Sequence, residues 1–491
     1  MNSAVAHEGE FSLKLLLIAI TATLGGFLFG FDSAIINGTV TAVRGEFNLS
    51  AGMTGFTVSC ALLGAMIGAW LAGYCATRFG RVNTMVISSV LLTASAVGSA
   101  FSYSVEALIF WRFVGGIGVG FASVIAPAYI AEIAPSSIRG RLATTQQMSI
   151  VIGIFMALLV GALLVKLSGG AAQPIFGELE AWRWMFLSEV IPSVLYGVLA
   201  SRLPESPRYL IQNDRETEAR EVLKNVVNIA NDSAVDNAVA QIKGSFSTTV
   251  KRSFADLRSQ KGFLLPIVWV GILLSVFQQL VGINVIFYFS TVLWNSVGFD
   301  ESDAFAISVV TSFINVAATV VAIVLVDRIG RKPLLMMGSA IMCVSLAVMA
   351  LAFGSSDTVN GQLTLPEPWG PVALVAANLF VIGFGISWGP VVWVLLGEMF
   401  PQPNSRPGPW LGRSSPVVSQ LYDQHQLSRF GRSRITHRLR FLRHQCWPIV
   451  FVCLEICARN QRRYPGRYAR ALTGLLSCRS ARQLSSLFHT L

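Results

Sequence analysis

Asp32 stands near the end of an apolar run of helix-spanning length. A carboxylate there must be paired or protonated, because desolvation disfavours its charge. Arg112, near the head of another such run, is the matching cation. A carboxyl that alternates between pairing with arginine and binding a proton is a proton-coupling element; the plainer alternative is a static ion pair that fixes packing. Five amides also lie inside apolar runs: Gln147, Gln278, Gln279, Asn284 and Asn315. Amides donate and accept hydrogen bonds without carrying charge. They suit an uncharged, hydroxyl-rich ligand, whose removal from water must be compensated bond for bond. Amides also glue apolar helices together, and spacing alone leaves both readings open. Phe287, Tyr288, Trp388 and Trp393 are aromatics that could stack on the flat apolar face of such a ligand. Glu132, Arg139, Glu398 and the loop Asp327-Arg328-Ile-Gly-Arg331 fall at run ends. Charges there can pair in one conformation and part in another, or simply anchor the ends of membrane spans.

The elements that must position these residues are the apolar runs themselves. The chain of 491 residues is 53% hydrophobic and only 13% charged, against about 25% charge in a soluble domain. A soluble globular enzyme is excluded. Ten runs have spanning length, at roughly 14 to 36, 53 to 75, 84 to 104, 108 to 130, 142 to 166, 182 to 202, 263 to 290, 304 to 326, 334 to 353 and 370 to 396. Each is near the ~20 residues that cross a bilayer as helix, so the expected fold class is an all-α polytopic membrane protein. Residues 203 to 261 form the one long polar stretch, a central loop between two bundles. Lys and Arg crowd the loops after spans two, four, six and eight, which places those loops and the N-terminus in the cytoplasm. Cys60, Cys75 and Cys343 show no metal-binding spacing, so neither metal nor cofactor is expected. Gly115, Gly116, Gly118 and Gly120 in span four allow close helix approach and do not follow a strand, as a dinucleotide loop would.

The chain also repeats itself. Arg78-Phe-Gly-Arg81 recurs as Arg328-Ile-Gly-Arg331, and Glu132-Ile-Ala-Pro135 as Glu398-Met-Phe-Pro401. Near-constant offsets imply two homologous halves of six spans, the parallel-repeat design of transporters that alternate access around a midplane site. Residues 1 to 202 are then one six-helix bundle, and 262 to 401 hold four helices of the second.

With these motifs in order, residues 14 to 401 resemble the sugar porter family of the major facilitator superfamily. The resemblance rests on Gly25-Gly-Phe-Leu-Phe-Gly-Phe-Asp32, Pro127-Ala-Tyr-Ile-Ala-Glu-Ile-Ala-Pro135 with Arg139-Gly140, and Pro204-Glu-Ser-Pro-Arg208. It rests equally on Gln278-Gln-Leu-Val-Gly-Ile-Asn284, Asp327-Arg-Ile-Gly-Arg-Lys332 and Gly389-Pro-Val-Val-Trp393. One departure is Thr77-Arg-Phe-Gly-Arg-Val82-Asn83, which lacks the acid and the last basic residues of the family's first loop motif. The resemblance implies a monosaccharide or polyol carrier, with Gln147, Gln278, Gln279, Asn284, Asn315 and Trp393 on the sugar and Phe29 as an apolar wall. It implies proton symport through Asp32 and Arg112, and conformational gating by Glu132, Arg139, Asp327, Arg328, Arg331 and Glu398. The implied partners are the sugar, the proton and the bilayer of a plasma (inner) membrane, with no nucleic acid, for a chain acting as a monomer. Facilitative uniport and a non-transporting sugar sensor are the alternatives.

After Pro401 the character changes. Residues 402 to 491 hold fifteen Arg, no Lys and two acids, Asp423 and Glu455. They contain no spanning run. Read one nucleotide later, their codons can encode the loop ten-eleven, span-eleven and C-terminal motifs of sugar porters in order. The expectation is a frameshift near codon 401, leaving an aberrant Arg-rich tail and a chain that does not transport.

Overall fold

The computed structural model describes residues 13–133, 139–227, 231–247, 266–296, 298–355, 357–359 and 362–399. The tail expectation and any spans beyond the tenth lie outside the described residues.

The first half consists of α1 (Leu13–Glu46), α2 (Ala51–Phe79), α3 (Arg81–Ala100), α4 (Val105–Ile133), α5 (Arg139–Ser168) and a sixth span made of α6 (Ala181–Ser188) and α7 (Val190–Ser201). The polar stretch folds into α8 (Pro207–Gln212), α9 (Glu216–Asn225) and α10 (Asp232–Ser247) around Leu210, Ala219, Leu223 and Val235. The second half holds α11 (Pro266–Leu280) and α12 (Ile283–Ser296) as span seven, α13 (Glu301–Ile329), α14 (Arg331–Gly354), and α15 (Trp369–Ile386) with α16 (Trp388–Met399) as span ten. Two antiparallel ribbons, β1 (Pro174–Phe176) with β2 (Leu179–Glu180) and β3 (Asp357–Val359) with β4 (Gln362–Thr364), decorate loops.

Among the described residues, ten segments are long and apolar enough to cross a membrane. They are helical because lipid offers no partner to backbone N–H and C=O groups, which must bond within the helix. Their outer faces are apolar too: Trp70 is 81% exposed and Val344 and Leu351 65% each, the surface a lipid-facing helix presents. The expected all-α polytopic architecture is present among the described residues.

The repeat is visible in the backbone. Gly80 and Gly330, at φ 94° and 90°, make the same turn between consecutive helices in each half. The expected close approach of span four is also present: a Cβ on Gly116 would sit 2.0 Å from the Ala61 carbonyl oxygen of α2, so the two helices touch backbone to backbone.

Three spans expected as continuous are divided: the sixth only at Glu189, whose backbone stays helical (φ −69°, ψ −21°), the seventh and tenth by non-helical residues. Span seven turns at Gly282, whose φ of 92° favours glycine, and bends again at Phe289 (φ −130°, ψ 17°). Span ten breaks at Ser387, where Pro390 lacks the N–H that would continue the helix. Hydropathy averages over a window and does not register such breaks.

Candidate functional site

Asp32 of α1 and Arg112 of α4 meet inside the first bundle. The Nη1 of Arg112 donates to Asp32 Oδ1 at 2.6 Å, with side chains 2% and 4% exposed. Nη2 donates to the Asp32 backbone carbonyl at 3.4 Å, and the guanidinium lies 5.6 Å from the Phe186 ring centroid. Glu189, at the junction of α6 and α7, is 1% exposed and in electrostatic contact with both charges. The sequence reading missed it, although an acid inside an apolar run is its own signal. A second buried carboxyl thus lies within electrostatic range of the Asp32–Arg112 pair, its Oε1 without a hydrogen-bond partner among the described residues. A cavity of about 10 Å³ adjoins the pair, room for about one water. Phe29, Ser33 and Tyr288 line it with Asp32 and Arg112.

The amides gather at the breaks in spans seven and ten. Gln278 Nε2 donates to the carbonyls of Trp388 at 2.9 Å and Gly389 at 3.4 Å, splinting the start of α16. Gln147 of α5 reaches the same place, its Nε2 3.6 Å from where a Cβ on Gly389 would lie. Asn315 of α13 borders Gly385 across from them, with its Oδ1 buried and without a protein partner. Gln279 and Asn284 flank the Gly282 turn, and Asn284 Nδ2 donates to Gln279 Oε1 at 2.8 Å in an exposed position. Trp393 is 52% exposed, whereas Trp388 is 6% exposed and donates from Nε1 to Ser339 Oγ at 2.8 Å. The arrangement offers amide donors and acceptors from both bundles around the two breaks.

At the end away from the α8–α10 layer, the bundles are latched. Asn37 of α1, fully buried, donates from Nδ2 to Ser290 Oγ at 2.7 Å and accepts at Oδ1 from the Thr291 backbone N–H at 3.1 Å. The Thr291 hydroxyl bonds the Asn37 carbonyl and Oδ1 at 2.9 Å each, and Ser290 meets Ser308 of α13. Phe305 presses on Gly38 nearby, and Glu301 Oε1 accepts from the Ala171 N–H at 3.3 Å.

At the opposite end, Arg81 Nη2 pairs with Glu132 Oε1 at 2.8 Å, and Glu132 also accepts from Ser206. Glu205 accepts from the N–H groups of Arg81 at 3.0 Å and Val82 at 3.2 Å, capping α3. Glu132 therefore pairs within its own bundle in this conformation. Arg328 is exposed, and Arg331 Nη1 donates to the Val326 carbonyl at 3.2 Å. The side chains of Arg139, Asp327 and Glu398 lie outside the described residues.

The chain is similar to known proteins in both sequence and fold. A family model described as "Sugar (and other) transporter" matches residues 18–407. The glucose transport protein of Synechocystis sp. is 52% identical over 388 residues, 79% of this chain and 82% of that protein. The D-xylose-proton symporter of Escherichia coli (strain K12) is 36% identical over 410 residues, covering 78% and 79%. The xylose transporter XylE from E. coli, in a partially occluded inward open conformation, superposes with a TM-score of 0.67 at 34% identity, covering 78% of this chain and 87% of that one. XylE bound to 6-bromo-6-deoxy-D-glucose gives 0.65 at 35%, covering 79% and 82%.

Proposed function

The chain belongs to the sugar (and other) transporter family, and from that membership we propose that it carries a monosaccharide across the plasma membrane by alternating access, in symport with protons. The observation that carries the reading is the buried Asp32–Arg112 pair inside the first bundle, with a second buried carboxyl, Glu189, in its field. A static structural pair would need only one carboxylate. The amides at the broken spans supply the sugar site: Gln147, Gln278, Gln279, Asn284 and Asn315, with Phe29 walling the adjoining cavity. Trp388 joins them through its contact with Gln278, and Trp393 stacks from α16 once the bundles move. The end bearing α8–α10 is cytoplasmic, as is the N-terminus. The Asn37 latch then closes the outer face, and the conformation is the one that releases sugar inward. Glu132, Arg139, Asp327, Arg328, Arg331 and Glu398 hold the inner face shut in the opposite conformation. One chain is the working unit.

The frameshift reading enters here as well. The family match ends at residue 407, within a few residues of the change in composition, and this supports a second bundle completed only in the alternative frame.

The test is Asp32→Asn in the frame-restored chain. Neutral Asn mimics the protonated carboxyl while Glu189 remains to balance Arg112, so sugar exchange persists and uphill accumulation is lost. Asp32→Asn with Glu189→Gln strips both counter-charges and destabilises by about 3–5 kcal/mol, far more than the single changes added together. Accumulation retained by Asp32→Asn would remove symport from the reading.

A further inference from the structure

We propose that Tyr288 is the residue through which the ion cluster of the first bundle and the amide site of the second sense each other; the inference rests on the transport reading above. The cavity beside Asp32 and Arg112 is lined by residues of α1, α2 and α4, and by a single residue of the second bundle, Tyr288 of α12. Tyr288 shares that lining with Ser33, the neighbour of Asp32 in the chain, and its hydroxyl lies in the field of Asp32 and Arg112. Tyr288 also stands one helical turn after Asn284 and so shares its face of α12. Immediately after it comes the bend at Phe289, beyond which Ser290 and Thr291 grip Asn37. One ring therefore touches the cluster, follows the sugar amides and precedes the outer latch.

The physics of the link is short range. The charged groups around the Tyr288 hydroxyl are Asp32 on α1 and Arg112 on α4, with Glu189 at the α6–α7 junction and the Cys60 thiol of α2 within electrostatic range of that pair. In a low-dielectric interior a change of one charge within a few ångströms is felt strongly. When Asp32 binds a proton, Arg112 is released from it and the field at the Tyr288 hydroxyl changes. Tyr288 and Asn284 are joined by one intact turn of helix, so a shift of the ring carries the amide with it. Tyr288 is thus a positioning residue, acting on the sugar through Asn284.

The experiment measures D-glucose binding to the purified 491-residue chain in nanodiscs, by tryptophan fluorescence. In the unaltered chain Kd changes at least about fivefold between about pH 5.5 and about pH 8.5, the low end of ordinary coupling between sites. In Tyr288→Phe the change falls below about twofold, while Kd at the tighter pH stays within about threefold of the unaltered value. Ser33→Ala flattens the profile in the same way and decides the matter alone if Tyr288→Phe does not fold. A merely structural tyrosine would lower affinity at every pH alike. That result, or a full pH swing in both variants, or a flat profile in an unaltered chain that binds glucose, overturns the proposal. If neither the unaltered chain nor its frame-restored form binds D-glucose or D-xylose, the transport reading falls, and this inference with it.

Discussion

Arg81 and Arg331 make the same bond 250 residues apart in a chain that repeats: each follows a glycine turn and donates Nη1 to a carbonyl five residues back, Ala76 or Val326, at 3.2 Å. In the first half the guanidinium holds Glu132 as well. A fork of donors can serve a carbonyl and a carboxylate together; an ammonium on a flexible stem cannot hold both directions. Arg81→Lys is expected to lower stability by about 1–3 kcal/mol, read from the denaturation midpoint in detergent. An unchanged midpoint would mean that the fork geometry does not matter there.

The outer latch predicts a shift in population rather than a loss of fold. Asn37→Ala leaves the buried Thr291 N–H without its acceptor and takes the amide donor from Ser290, at a cost of about 1–3 kcal/mol, which is roughly a five- to hundredfold change in the closed-to-open ratio. Spin labels on the outer ends of α5 and α13 should show a longer distance in the variant. The same distance distribution in both proteins would assign the latch to packing alone.

The amides should divide by their present partners. Gln279 and Asn284 bond to each other in the open, so Ala at either position weakens sugar binding by more than about tenfold with little change in melting. Gln278 splints α16, so Gln278→Ala lowers the melting temperature and affinity together. Equal melting losses at all three positions would favour helix glue over a sugar site.

The tail gives the least expensive test. Arg432, Arg434, Arg438, Arg440 and Arg443 crowd one stretch, and one such charge at the bilayer centre costs on the order of 3 kcal/mol. The stretch should not span. Shifting the frame by one nucleotide near codon 401 should restore sugar uptake that the 491-residue chain lacks. Uptake by the unshifted chain would overturn the frameshift.

How far the molecule was legible in its sequence depended on the range of the interaction. All ten spans follow from hydropathy because insertion into lipid is decided segment by segment. Asp32 and Arg112 were legible for the same reason, as charges too costly to leave unpaired. Glu189 was equally visible by that rule and was overlooked inside the sixth span. Ser290 and Thr291 were not legible, since hydroxyls in a helix usually bond their own preceding turn, as Ser312 does. Only a partner from the other bundle, Asn37, gives them a role. Gln147 and Gln278 come together through the break at Ser387, which no hydropathy window registers. The preference for Trp393 came from the family pattern, and it is Trp388 that meets Gln278 in this conformation.

The seam at Gly116 has a mechanical meaning. Where helices meet through interlocking side chains, rotamer changes let them slide; where backbone rests on backbone, no such slack exists. The Ala61 carbonyl against Gly116, with Gly64 against the Phe113 carbonyl beside it, makes α2 and α4 a stiff beam. Strain applied at either end of the first bundle is then transmitted along its length instead of being absorbed within it. The compliance of the molecule is left to the joints at Gly282, Phe289 and Ser387. The microsecond-to-millisecond motions that rock bundles against each other should concentrate there, as fast amide exchange bordered by a protected, slowly exchanging α2 and α4.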